Sequence, residues 1–183
     1  MKSVLIPLAP GFEEIEALTV IDILRRGEVN VIVAGIMGGP VEGRSRIQVI
    51  PDTTLEEVNP DDLDMIVLPG GQPGSNHLRE DLKVRAIIKA LAEKDKYTAA
   101  ICAAPTVLSS LGLLDGKNVT SHPSVEKDLT MTNYTQDRVV IDGKVVTSRS
   151  PGTAMEFAMT LLEILCGKEV MERVNEGVLA RLG

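Results

Sequence analysis

Unbroken apolar runs of strand length alternate with helix-like segments along much of this chain. The apolar runs cover residues 4–9, 29–36, 65–68 and 98–102, and the helix-like segments between and after them cover residues 14–26, 83–94 and 104–111. Continuous apolar runs are typical of strands that are buried on both faces. The alternation therefore predicts an α/β sandwich in which helices cover a mostly parallel central sheet.

Two further segments have a β character of a different kind. Residues 38–51 contain short pieces with Gly and Arg, which indicate a β excursion from the main sheet. Residues 138–147 predict a hairpin, because the turn dipeptide Asp142-Gly143 is flanked on both sides by valines.

The end of the chain is predicted to be helical. Pro151 suits the first turn of a helix that reaches residue 165, Gly167 ends it, and a second helix is expected over residues 168–180. The sequence has neither internal repeats nor linker-like tracts, and a length of 183 residues suits one domain over residues 1–183.

Charge and cysteine content exclude several classes of function. The net charge of -7 argues against a nucleic-acid partner, and the apolar run at the start is too short to cross a membrane. Two distant cysteines are too few for a disulfide scaffold and favour a reducing, cytoplasmic location. With two histidines and no CxxC or HxxxH spacing, we expect no metal site.

Cys102 stands where a buried strand meets the next helix. The positions two before and two after it are Ala100 and Ala104, as the crowded turn of a nucleophile elbow requires. Exposed N–H groups at a helix start stabilise a thiolate, so Cys102 is a candidate nucleophile. The competing interpretation is a buried structural cysteine, and that interpretation is preferred for Cys166, which has no partner motif.

Three other elements could complete a site around this cysteine. Gly70-Gly71 ends a core strand and could supply an oxyanion hole, although an isolated glycine pair is a weak signal. Glu16 could be a desolvated, protonated acid beside the sulfur, or an ordinary acidic residue in the first turn of a helix. His122 is preferred over His77 as a partner for the cysteine, because His77 lies in a polar helical stretch.

Five ordered motifs together resemble the ThiJ/PfpI family, also called the DJ-one family, and within it the bacterial YajL-like branch. The motifs are residues 9–16 (APGFEEIE), 67–71 (VLPGG), 99–105 (AAICAAP), 121–123 (SHP) and 147–153 (TSRSPGT). The resemblance covers nearly the whole chain. It implies a flavodoxin-like three-layer sandwich that forms a homodimer, with the active site beside the subunit interface.

The resemblance also implies a role for individual residues. The expected site consists of Cys102 as nucleophile, Glu16 as protonated acid, His122 as the nearby histidine, the N–H groups of Gly71 and Ala103 as oxyanion donors, Arg26 reaching the site of the partner subunit, and Arg46 as an anion-binding arginine.

Two functions fit the resemblance. The first is a cofactor-free, cysteine-dependent enzyme of glyoxalase or deglycase type, with a small aldehyde or a glycated adduct as its substrate. The second is a redox sensor or stress-responsive chaperone in which Cys102 is oxidised. The peptidase branch has a histidine directly after the cysteine, where this chain has Ala103, and the amidotransferases need His-Pro-Glu, where this chain has His122-Pro123-Ser124. Both of these activities are therefore disfavoured.

Overall fold

The central layer is a seven-stranded sheet within residues 1–181, the part of the chain that this computed structural model describes. The strands in chain order are β1 (Ser3–Leu8), β2 (Asn30–Gly35), β3 (Val41–Glu42), β4 (Gln48–Val49), β5 (Thr53–Thr54), β6 (Met65–Leu68), β7 (Tyr97–Ile101), β8 (Asn118–Val119), β9 (Asn133–Tyr134), β10 (Val139–Asp142) and β11 (Val145–Ser148). The sheet order is β10-β11-β7-β6-β1-β2-β5, and only β10 runs antiparallel to its neighbour. The strand pairs β3-β4 and β8-β9 form separate small ribbons.

Helices cover both faces of this sheet. They are α1 (Glu14–Arg26), α2 (Gly74–Glu80), α3 (Leu82–Glu93), α4 (Pro105–Ser109), α5 (Ala154–Cys166) and α6 (Lys168–Val178), with 3-10 turns at Leu55–Glu57, Pro60–Asp62, Pro123–Asp128 and Pro151–Thr153. Helices α1, α5 and α6 pack in one apolar cluster, and α2, α3 and α4 pack in another. The molecule therefore has three layers, and the predicted α/β sandwich with a mostly parallel sheet is confirmed.

Strand β1 explains why the apolar runs are unbroken. Val4, Ile6 and Leu8 belong to the cluster with α1 and α5, whereas Leu5 belongs to the cluster on the opposite face. All four residues are fully buried. Because helices cover both faces of the sheet, apolar residues are required at successive positions of the strand.

Helix α1 has the bounds that the sequence predicts. Its buried residues Ala17, Val20, Ile21 and Leu24 recur at helical spacing and form one stripe that packs against the sheet and α5. The helix starts after Glu13, whose side chain accepts a hydrogen bond from the Ile15 N–H at 3.3 Å. This start places acidic side chains at the edge of the sheet.

Several predicted boundaries differ from the structure. Strand β7 ends at Ile101 and not at Cys102, because Cys102 has a φ of 65°, which a strand does not tolerate. The helix expected from Pro151 begins with a 3-10 turn, and the last helix stops at Val178 because Leu179 is left-handed. Helix α4 is also shorter than the predicted segment 104–111.

Candidate active site

The elbow at Cys102 is held by the last parallel strand. The Cys102 N–H donates to the Ser148 carbonyl at 3.0 Å, and α4 begins three residues later at Pro105. A φ of 65° is uncommon for a residue with a side chain, and such strain is concentrated at functional sites. The sharp turn takes the cysteine out of the strand at the carboxyl edge of the sheet.

Gly70 lies in the loop after the neighbouring strand β6, at a position where a side chain would clash with its neighbours. A Cβ on Gly70 would lie 2.5 Å from Glu16 Oε2 and 2.6 Å from the Cβ of Cys102. Gly71 has a φ of +90°, and a Cβ there would lie 2.5 Å from both the Glu13 nitrogen and the Gly11 carbonyl oxygen. Gly70 therefore permits a close approach of the loop after β6 to the acid and the cysteine, and Gly71 permits its approach to the loop before α1.

Glu16 is fully buried on the first turns of α1. Its Oε2 accepts a hydrogen bond from the Gly70 N–H at 2.8 Å. Its Oε1 has no nitrogen or oxygen partner within residues 1–181, and the Cys102 thiol is the group that hydrogen-bonds to this side chain. The acid expected beside the sulfur is thus located there in the structure.

Burial raises the pKa of Glu16 to about 7, although the hydrogen bonds from Cys102 and Gly70 oppose the shift. When Glu16 is ionised, burial and the adjacent carboxylate raise the pKa of Cys102 to about 12. Protonation of Glu16 removes the repulsion of the carboxylate and supplies a donor to the sulfur. Near neutral pH it is therefore the Glu16 carboxyl that titrates, while the Cys102 thiol keeps its proton, so the structure does not show the stabilised thiolate expected at the helix start.

The backbone N–H groups of Gly71 and Ala103 can stabilise negative charge at the Cys102 sulfur. Each lowers the pKa of Cys102 by hydrogen bonding to the thiolate, in opposition to burial. They also line a small cavity of about 190 Å³ that opens onto the sulfur and is bounded by Arg44, Gly71, Gln72, Cys102, Ala103, His122 and Ser124. Two amide donors beside a nucleophile are the arrangement that an oxyanion requires.

His122 lies on the wall of this cavity. Its backbone N–H donates to the Cys102 carbonyl at 2.9 Å, which fixes the histidine next to the elbow. Its ring is tied to Ser124, since Nδ1 lies 2.7 Å from the Ser124 hydroxyl and 3.2 Å from the Ser124 nitrogen. His77, by contrast, uses Nδ1 to contact the Pro10 carbonyl at 3.0 Å.

The arginine on the cavity wall is Arg44, which sequence reasoning missed. Arg46 was expected to bind the anion, but it lies in the same β3-β4 turn with a φ of 69° and is not among the cavity-lining residues. Arg44 Nε lies 3.8 Å from the buried carboxylate of Glu13. Arg26, expected to act in the partner subunit, forms an exposed ion pair with Asp22 at 2.9 Å.

A larger cavity, of about 470 Å³, lies at the opposite edge of the sheet. Its wall includes Lys96, Tyr97 and Lys144, and the Lys144 ammonium lies 4.3 Å from the centre of the Tyr97 ring. This cavity is bigger, but its lining has no cysteine and no buried acid. The chemistry therefore belongs to the smaller cavity.

Within residues 1–181, no group of three or more His, Cys, Asp or Glu side chains could hold a metal ion. No helix in that range is long and apolar enough to cross a membrane. Cys102 and Cys166 are both free thiols.

Known proteins agree with the resemblance found in the motifs. The protein dj-1beta of Drosophila melanogaster is 45% identical over 181 residues, which cover 97% of each chain. The glutathione-independent glyoxalase DJR-1.2 of Caenorhabditis elegans is 39% identical over 171 residues, which cover 92% of this chain and 91% of the relative. The assignment to the YajL-like branch stays a prediction.

Solved structures show the same relationship. The crystal structure of Drosophila melanogaster DJ-1beta has a TM-score of 0.95 at 44% identity and covers 98% of both chains. The oxidised DJ-1 of Toxoplasma gondii has a TM-score of 0.92 at 34% identity and also covers 98% of both. The sequence model of the DJ-1/PfpI family matches residues 2–164, so the chain belongs to the DJ-1/PfpI family.

Proposed function

We propose that this protein is a cofactor-free enzyme that converts small 2-oxoaldehydes, of the methylglyoxal and glyoxal class, into hydroxy acids. The observation that carries the proposal is the pair of Glu16 and Cys102 at the edge of a cavity with two amide donors. A relative of similar length bears the name glutathione-independent glyoxalase. The fold alone would not suffice, because one fold supports many activities.

The first half of the reaction is addition of sulfur to the aldehyde. The thiol proton of Cys102 passes to the Glu16 carboxylate while Sγ forms a bond to the aldehyde carbon. The π electrons of the carbonyl move to its oxygen, which the N–H groups of Gly71 and Ala103 stabilise. Glu16 then returns the proton to that oxygen, giving a neutral hemithioacetal. A carboxyl with a pKa of about 7 suits both directions of transfer.

The second half moves hydrogen between the two carbons of the substrate. The ionised Glu16 takes the hydrogen on the former aldehyde carbon as a proton and returns it to the adjacent carbonyl carbon, while the hydroxyl proton passes from the first oxygen to the second, which yields a thioester to Cys102. Water hydrolyses this thioester, releases the hydroxy acid and restores the thiol. One carbon is oxidised and its neighbour reduced, so the overall change is addition of one water, and no external oxidant or cofactor enters the balance.

The size of the cavity favours the glyoxalase reaction over the deglycase reaction. A space of about 190 Å³ accommodates a three-carbon substrate, whereas a glycated side chain would have to enter with its peptide outside. Deglycase activity would begin with the same attack by Cys102, so the same site would carry that alternative reaction.

The proposed working form is a cytoplasmic homodimer. The exposed side of α1 carries Ile15 and Leu18, and the adjacent β3-β4 ribbon exposes Ile47. An apolar surface of this kind, next to the cavity, suits a symmetric contact between two copies. Arg26 would then be available to the site of the partner.

Turnover of methylglyoxal tests the function directly. We expect the purified protein to form lactate without glutathione and in the presence of a metal chelator. Cys102→Ala should abolish the activity, and Cys166→Ala is the matched control that should retain it. Equal lactate formation by the Cys102→Ala variant, or none by the native protein, would contradict the proposal.

A redox role is the second candidate, and the accessible edge of Cys102 favours it. The relative from Toxoplasma gondii was solved in an oxidised form. Peroxide would take the thiolate to a sulfenate with release of water, and a second peroxide would give a sulfinate that a protonated Glu16 could hydrogen-bond. Intact-mass measurement after mild peroxide, in a protein with no methylglyoxal turnover, would favour this role.

A further inference from the structure

The two ring nitrogens of His122 have different surroundings. Nδ1 lies 3.2 Å from the Ser124 nitrogen and accepts the hydrogen bond from that N–H. A backbone N–H can only donate, so Nδ1 cannot itself carry a proton while this bond exists. In the neutral ring the proton is therefore on Nε2.

The Ser124 side chain strengthens this arrangement. Its hydroxyl lies 2.7 Å from His122 Nδ1 and can donate to the same lone pair. The main chain is fixed on both sides, because the His122 N–H donates to the Cys102 carbonyl at 2.9 Å and the Val125 N–H donates to the His122 carbonyl at 3.1 Å. The ring is thus held at the start of the Pro123–Asp128 turn.

Nε2 is the nitrogen that remains available. It has no protein hydrogen bond within residues 1–181, while His122 and Ser124 both line the cavity that opens onto Cys102. We infer that Ser124 is a positioning residue that holds His122 in the Nε2–H tautomer, so that His122 serves the site as a hydrogen-bond donor and not as a base. The catalytic half of this inference rests on the proposed function; the tautomer does not.

In this arrangement His122 and Glu16 have separate roles in the reaction. As Sγ adds to the aldehyde, negative charge develops on the carbonyl oxygen, and Nε2–H can stabilise that charge without losing its proton. Full transfer from a neutral ring would leave an imidazolate, which is not required here. Glu16 carries the proton from sulfur to oxygen, and His122 supplies polarisation only.

Nitrogen NMR of the whole protein with ¹⁵N-labelled histidine tests the tautomer, at a pH where titration shows the rings to be uncharged. The chain has only two histidines, and His77 is an internal reference of the opposite kind. Its Nδ1 faces the Pro10 carbonyl, which can only accept, so the His77 proton should be on Nδ1. We expect an unprotonated Nδ1 signal for His122 and a protonated one for His77.

Two variants test the donor role. His122→Gln keeps a side-chain N–H but cannot act as a base, and we expect it to retain kcat within about tenfold of the native value. His122→Ala removes the donor and should lower kcat by about 10²-fold. Ser124→Ala loses the hydroxyl contact but keeps the backbone donor, so it should lower kcat several-fold with KM unchanged while His122 Nδ1 stays unprotonated.

Two results would overturn the inference. One is a protonated Nδ1 in native His122, and the other is a His122→Gln variant as inactive as His122→Ala while its NMR spectrum shows a folded chain. If the native protein turns over no methylglyoxal, the proposed function fails, but the ¹⁵N spectrum still decides the tautomer. The two failures are therefore distinguishable.

Discussion

Gly70 donates its N–H to Glu16 Oε2 at 2.8 Å, and its missing side chain is what lets the acid reach the elbow. A Cβ at this position would lie 2.5 Å from Glu16 Oε2 and 2.6 Å from the Cβ of Cys102. Real Cβ contacts do not become this short, so the backbone of residue 70 forms part of the contact between acid and thiol.

Substitution of Gly70 by Ala should separate this pair. The added methyl group overpacks a closed site, so we expect a loss of about 1–3 kcal/mol in the free energy of unfolding, together with loss of turnover. Gly38→Ala is the control, because a Cβ on Gly38 has no atom within 4 Å and should change neither quantity. Urea denaturation and a lactate assay measure the two effects. Normal turnover in Gly70→Ala would contradict the close packing.

The stability of the protein should fall as the pH rises through the titration of Glu16. Its folded-state pKa of about 7 lies above the ordinary value of 4.5, so the folded state binds this proton more tightly than the unfolded state. The resulting stabilisation is fully present below pH 4.5 and is lost as the pH rises through about 7, a change of about 3 kcal/mol.

Glu16→Gln should remove this pH dependence. We expect urea midpoints of the variant to stay level between pH 4.5 and 7, relative to the falling midpoints of the native protein. Glu163→Gln, which changes an exposed glutamate of α5, should behave like the native protein. Identical slopes for native and Glu16→Gln proteins would show that Glu16 is ionised throughout.

Arg44 should favour anionic substrates. Arg44 lines the cavity, and its guanidinium also lowers the pKa of Glu16. We expect Arg44→Ala to reduce kcat/KM for glyoxylate several-fold more than for uncharged methylglyoxal, since a partly exposed ion pair contributes up to about 1 kcal/mol. Arg46→Ala is the matched control from the same turn. A larger loss of kcat/KM for glyoxylate in Arg46→Ala than in Arg44→Ala would show that Arg46 binds the anion.

Glu14 should hold the turn that carries Arg44. Its buried Oε1 accepts hydrogen bonds from the Ser45 N–H at 2.7 Å and the Ile47 N–H at 3.4 Å. Glu14→Ala leaves these donors without an acceptor, which should cost about 1–3 kcal/mol and speed amide hydrogen exchange at Ser45 and Ile47. Glu14→Gln keeps an acceptor oxygen and should remain close to the native rates. Unchanged exchange in Glu14→Ala would exclude this role.

The parts of the fold that depend on long apolar runs were predictable from the sequence. Helix α1 has its predicted bounds, and β6 and β7 follow the runs 65–68 and 98–102 closely. The two-residue strand β5 has no such signal, because Thr53–Thr54 joins the sheet only through contact with β2. Pairing of so short a strand is decided by tertiary structure and not by periodicity.

Some residues of the site were likewise predictable from the sequence, and one was not. The element ends and the family motifs indicate Cys102, Gly71 and Glu16, because Cys102 directly follows β7, Gly71 lies in the loop after β6 and Glu16 lies in the first turn of α1. The choice between Arg44 and Arg46 depends on a tight turn in which Arg46 is left-handed and Gly43 packs against Glu14. Neither feature has a sequence signature, so the side chain on the cavity wall could not be predicted.

The hydrogen bond from the Cys102 N–H to the Ser148 carbonyl has a consequence for biosynthesis. Ser148 ends β11, which pairs with β7 and follows it in the chain, so the cysteine leaves the ribosome before its acceptor does. The turn at Cys102 can therefore be completed only after β11 has been translated and has docked beside β7.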